Sequence, residues 1–272
     1  MMRSTGARLF GATAMAALAL LVTAPHSAQA QGRDEQRPRE MRALTLMQTM
    51  QVANAPQLAP MINALLSDTN SHMRMAASRK RTKGDVVRTT RLAKEARLAL
   101  AKYSDVRLAE QDGYVRFLPW LEDQDIFHYN NIQNVMISVD TFDVTRPVSL
   151  LYRKNKAGKL VLVGAMYSAL PGASLAELDA RLPLSVAHWH EHVNFCGPRP
   201  DSMRAGTVRT DSATLAKWLK ITAADTCNAA GGVFLPRLFG WMTHAYLFGR
   251  QDLASVWGGE QHDHMRMPGM SH

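Results

Sequence analysis

Three histidines alternate in the run His188-Trp189-His190-Glu191-His192. On a strand, alternate residues face one way, so the three imidazoles would line one surface while Trp189, Glu191 and Val193 take the other. Same-face neighbours stand about 7 Å apart, which lets two imidazoles converge on one ion at metal–nitrogen distances of about 2.0 Å. A helix is the competing reading, with Val186, Trp189, Val193 and Cys196 as an apolar stripe and His188 and His192 one turn apart. Leu182-Pro183 and Gly197-Pro198 bracket the run and favour the strand. The zinc-protease pattern H-E-x-x-H is not met, because Asn194 stands where its second histidine would be. Metal or catalytic use is the expectation; a polar, solvated sheet face is the plain alternative.

Two more histidines sit in strand-like, aromatic surroundings: His128 in Phe127-His128-Tyr129-Asn130-Asn131, and His244 in Trp241-Met242-Thr243-His244-Ala245-Tyr246. Alone, each reads as a hydrogen-bonded core histidine. With the triplet they could complete a site of three or four nitrogens, of a kind that suits copper(II) or zinc(II). Carboxylates from Glu122, Asp123 or Asp125 could extend it. A second metal signal lies in the tail, where His262, His264 and His272 mix with Met265, Met267 and Met270. Thioether sulfur is a soft ligand that prefers copper(I), and imidazole serves both copper states. A flexible end or a cloning scar is the competing account of the tail.

The first thirty residues read as a secretory signal peptide. Arg3 and Arg8 form a basic start, Leu9 to Val22 an apolar stretch, and Ala28-Gln29-Ala30 a cleavage pattern, so the mature protein is expected in the periplasm from Gln31. In that oxidising compartment the only two cysteines, Cys196 and Cys227, are expected to pair, with a thiolate metal site as the rival. Without Arg3 and Arg8 the chain keeps 30 basic against 23 acidic residues, a formal +7. In an exported protein that charge suits an envelope surface or an acidic partner better than nucleic acid. The basic run Arg74 to Lys83 lacks the interleaved aromatics that stack bases, and reads as a solvated helix end or loop. No other window reaches eighteen charge-free apolar residues, which argues against an integral membrane protein.

These residues need elements to hold them. Residues 31–40 read as a mobile leader and 41–113 as helical, with Leu44, Met47, Val52, Met61 and Leu65 periodic and breaks at Pro56 and Pro60. Asp85 caps a long predicted helix to about Tyr103; Ser104 or Asp105 starts a shorter one that Gly113 ends. From 114 to 257 the pattern is β-rich. Predicted strands are Tyr114 to Trp120, Asn134 to Val139, Val148 to Arg153, Leu160 to Tyr167, Val186 to Phe195 and Gly240 to Phe248. Ala173 to Arg181 and Ser212 to Leu219 read as helices, and 258–272 as the flexible tail. The predicted class is α+β, with N-terminal helices packed on a mainly antiparallel sheet.

Several segments together resemble a widespread group of exported bacterial proteins of unassigned function. They are Asp105-Val106 through Asp112-Gly113-Tyr114, His128-Tyr129-Asn130, Pro147 to Tyr167, His190 to Cys196 and Phe234 to His244. The resemblance covers about half of the mature chain and implies an envelope protein with a compact sheet domain, without implying an activity. The tail separately resembles the Met/His extensions of periplasmic copper carriers. Three functions follow as expectations. The first is a metal-binding protein for copper handling, with zinc as the alternative ion. The others are a metalloenzyme that uses the same histidines, and a metal-free envelope module with a protein partner.

Overall fold

The computed structural model describes residues 71–122, 124–199 and 211–258. The expected signal peptide, leader, first helices (41–66) and Met/His tail from residue 259 lie outside them. The predicted class is what forms: among the described residues there are seven helices and eight strands, and each of these strands pairs antiparallel.

The long helix α1 (Lys83–Leu100) begins one turn earlier than the sequence suggested. Thr82 is its cap and Asp85 completes a capping box: the Asp85 amide donates to Thr82 Oγ1 at 3.2 Å, and the Thr82 amide to Asp85 Oδ2 at 2.8 Å. The Arg79 guanidinium on Asp85 holds that carboxyl far below the usual carboxylate range. A 3-10 turn (Ala101–Ser104) leads into α2 (Val106–Gln111), capped by Asp105 as expected.

The sheet contains β1 (Met73–Met75), β2 (Val115–Arg116), β3 (Phe127–Asn130), β4 (Ser149–Lys154), β5 (Leu160–Ala169), β6 (His190–Gly197) and β8 (Trp241–Ala245), in the order β1-β6-β8-β5-β4-β3-β2. Strand β7 (Val233–Arg237) joins through β6 alone. Its Pro236 removes one donor, which an edge position tolerates. Three predictions change. Residues 134–139 form no strand but most of helix α3 (Ile132–Ser138), because the Asn131 side chain caps it by accepting from the Asn134 amide at 3.1 Å. Val186 and Ala187 belong to a turn closed by their amides on the Pro183 carbonyl, both at 2.9 Å, so the strand starts only at His190. Arg74 and Met75, read as part of a loop or helix end, are in β1.

One sheet face is covered by the helical layer. Leu92, Ala96 and Leu100 of α1, Ala109 of α2, Leu178 of α4 (Leu175–Arg181) and Val256 and Trp257 of α7 (Leu253–Trp257) share a core with Tyr152, Ala165, Tyr167 and Trp189. Trp189 is fully buried, and its indole N–H donates to the Leu182 carbonyl at 3.2 Å. That anchor fixes which residues of β6 face the helices. A second core gathers Phe195, Trp218, Leu215 and Leu238 around the Cys196–Cys227 disulfide. It tethers α5 (Ser212–Trp218) and α6 (Ala224–Ala229) to the end of β6.

The bridge closes a loop with a sequence separation of 31 residues. Replacing both cysteines by serine (Cys196→Ser with Cys227→Ser) is expected to cost about 3 to 4 kcal/mol by loop entropy. Urea unfolding of the variant beside the oxidised parent checks this; an equal midpoint would show that the second core does not need the bridge.

Among the described residues no helix is long and apolar enough to cross a membrane.

Candidate functional site

The alternation read in the sequence holds from His190 onward. His190 and His192 lie on the sheet face opposite Trp189, and register brings two further histidines to that face. His190 stands opposite Met242 of β8, so His244, two residues on, shares its side. His244 stands opposite Met166 of β5, Met166 opposite Ser149 of β4, and His128 of β3 opposite Leu151 of β4.

The four rings form a chain of close neighbours. Ring centroids are 5.6 Å apart for His192 and His190, 5.3 Å for His190 and His244, and 5.6 Å for His244 and His128. The last contact spans β5 and β4. Three strand spacings on a flat sheet would separate these backbones by about 14 Å. The sheet must therefore curl, with the histidines on its concave side. Gly164 of β5 makes the curl available: its Cα approaches β8 so closely that a Cβ would overlap the Ala245 carbonyl oxygen and lie 2.9 Å from the carbonyl carbon.

His190 and His192 are 5% and 7% exposed, while His128 and His244 each keep a partly accessible edge. Burial pushes all four below the ordinary imidazole pKa, to about 4 for His128 and His190 and about 3 for His192, with His244 well below its usual value. Repulsion from neighbouring imidazoles adds to desolvation: from His190 at His128, from His188 at His190, and from the other rings of the face at His192 and His244. They are neutral near pH 7, as nitrogen ligands must be. Each ring also has one buried nitrogen without a hydrogen-bond partner: His128 Nδ1, His190 Nε2, His192 Nδ1 and His244 Nε2. The other nitrogen of His190, Nδ1, lies 3.4 Å from the His188 carbonyl oxygen. Donation there leaves a lone pair on Nε2, the tautomer that metal-bound histidines commonly adopt.

Other expected site residues fare differently. His188 precedes the strand rather than extending its alternation; its amide donates to the Trp257 carbonyl at 3.2 Å. Glu122 and Asp125 are exposed, so they do not join the buried nitrogens; Asp123 lies outside the described residues, as do His262, His264, Met265, Met267 and Met270. Cys196 and Cys227 are spent in their disulfide and are not thiolate ligands. Among the described residues, no three histidine, cysteine or carboxylate side chains stand ready to hold one ion.

Sequence reasoning missed three parts of this region. Glu191, on the helix side of β6, is wholly buried between two arginines, in contact with Arg74 and 3.3 Å from Arg237 Nε. A carboxylate in that setting needs both cations to offset its desolvation. His72 stacks on Phe195 with centroids 4.7 Å apart, and its ring nitrogens lie 2.9 and 2.7 Å from the Asn194 and Leu219 carbonyl oxygens. The third part is a set of methionines on the histidine face. Met73 and Met75 of β1 stand opposite His192 and His190, beside Met166 and Met242 named above. The Met242-x-His244 spacing was visible in the sequence; the rest needed the register. No protein family, curated protein or solved structure matches the chain.

Proposed function

We propose that this is an exported metal-binding protein that handles copper, with zinc as the alternative ion, through His128, His190, His192 and His244. The observation that carries the reading is the set of four neutral rings on one concave face, each with a buried nitrogen that nothing satisfies. Leaving such atoms unpaired costs free energy, and a bound ion would recover it. Ring centroids 5.3 to 5.6 Å apart also suit two imidazoles on one ion, with nitrogen–metal distances of about 2.0 Å. The sequence features of export and the resemblance to envelope proteins support a periplasmic location, where the Met/His tail would act as a second, softer copper ligand.

The test uses the full chain with His262, His264, His272, Met265, Met267 and Met270 replaced by alanine, which silences the tail. It is expected to bind one copper or zinc ion per chain in competition titrations run with Cu(I), Cu(II) and Zn(II). Adding His190→Ala and His192→Ala is expected to remove that binding. Unchanged stoichiometry in the double variant would place the site elsewhere. A metal-free module is the second reading, favoured by the lack of three pre-aligned ligands among the described residues. It expects no metal in either protein.

A further inference from the structure

We infer that the ion held on the histidine face is monovalent copper, ligated jointly by imidazole nitrogen and by the thioether sulfurs of Met166 and Met242. The inference rests on the metal-binding reading above and assigns it an oxidation state and two further ligands. Met242 is the register partner of His190, and Met166 that of His244. Directly opposed residues on a sheet hold their Cβ atoms about 5 Å apart on the same side. The two imidazoles at the centre of the ring chain are thus each flanked by a sulfur. Both methionines are 7% exposed and belong to one small buried cluster with Val148 and Leu151.

The ligand chemistry decides the ion. Nitrogen and carboxylate side chains alone do not supply three ligands to one point among the described residues. Divalent zinc asks for four hard or borderline donors, and the exposed Glu122 and Asp125 do not supply them. A soft monovalent ion is content with fewer donors and accepts thioether sulfur. An apolar, water-poor floor built from Met166, Met242, Leu151 and Val148 also favours an ion of lower charge, since desolvation cost rises steeply with charge. Met73 and Met75, opposite His192 and His190 at the partly exposed edge strand, continue the sulfur row outward, along the line an incoming ion would take.

The experiment takes the tail-silenced full chain and titrates it anaerobically with Cu(I) against a chromogenic chelator, and separately with Zn(II). Met166→Leu with Met242→Leu is expected to lower Cu(I) affinity about tenfold or more while leaving any Zn(II) affinity within about twofold. Leucine conserves the volume, so the fold should persist. X-ray absorption on the Cu(I)-loaded, tail-silenced chain needs no core substitution and is expected to show sulfur beside nitrogen around copper. Nitrogen-only scattering, or equal Cu(I) affinity with and without the methionines, overturns the inference while leaving a histidine site standing. Failure to bind any metal overturns both.

Discussion

Acidification from pH 7 is expected to unfold the protein between about pH 5.5 and pH 4, beginning above the range in which carboxylates protonate. The cause is the histidine face. His128, His190 and His192 titrate at about 4, 4 and 3 in the folded protein, and His244 is also lowered well below its ordinary value. In the unfolded chain each would titrate near 6.5. Above that pH neither state is protonated and folding carries no penalty. Below it the unfolded chain takes up protons that the folded one refuses, so stability falls with falling pH. Each such group contributes about 1.4 kcal/mol per pH unit, and four together about 5 kcal/mol per unit, against a total stability of about 5 to 15 kcal/mol. Urea midpoints measured from pH 7.5 to 5 check the slope. His244→Gln should flatten it by about a quarter, and bound metal should shift the transition to lower pH by holding the rings neutral. A midpoint independent of pH down to 5 would mean that the rings are hydrated rather than buried.

The second large effect concerns a residue with no side chain. Gly164→Ala is expected to destabilise the fold by about 4 kcal/mol or more. Its new methyl would overlap the Ala245 carbonyl oxygen and lie 3.0 Å from Tyr246 Cα, all backbone atoms that cannot step aside without parting β5 from β8. The same change at Gly158 meets nothing within 4 Å and is opposed only by a φ of +75°, at about 1 to 2 kcal/mol. The contrast separates close approach from backbone conformation. Thermal unfolding of the two variants side by side measures it, and the Gly164 variant should also lose the His128–His244 contact and any metal binding. Equal melting temperatures would show that the curl does not depend on Gly164.

What the sequence revealed was whatever is decided locally. The β4–β5 hairpin could be read from its turn: the Asn155 side chain accepts from the Ala157 amide at 3.0 Å and the Lys159 amide at 2.9 Å, and Gly158 takes the positive φ. The α1 helix and the α4 helix with its Ser174–Glu177 capping box were legible for the same reason, while the disulfide followed from there being only two cysteines to pair. Helix α3 was misread because Val135 and Ile137 suggest a strand while a single Asn131 side chain nucleates a helix. Strand β1 was lost because its partners are over a hundred residues away, Met75 opposite His190 and Met73 opposite His192. The His190–His192 alternation was visible. That His128 and His244 join this face was read from their aromatic, strand-like surroundings; the route was not, since it depends on a sheet that curls across two intervening strands.

The strand order also sets a timetable. Strand β8 is the last of the described strands to be synthesised, yet it sits at the centre of the sheet, between β6 and β5. Until residues 241–245 exist, β2 through β5 can form one half-sheet and β1, β6 and β7 the other. The inner rim of each half, including the ten-residue β5, then displays unpaired backbone to any other chain in the same condition. Insertion of β8 closes both rims in one step and delivers His244 between His190 and His128. Such a step draws its contacts from far along the chain and is accordingly slow. The histidine face is thus completed together with the sheet, and a chain arrested before residue 241 would lack His244 and be prone to pair with its neighbours.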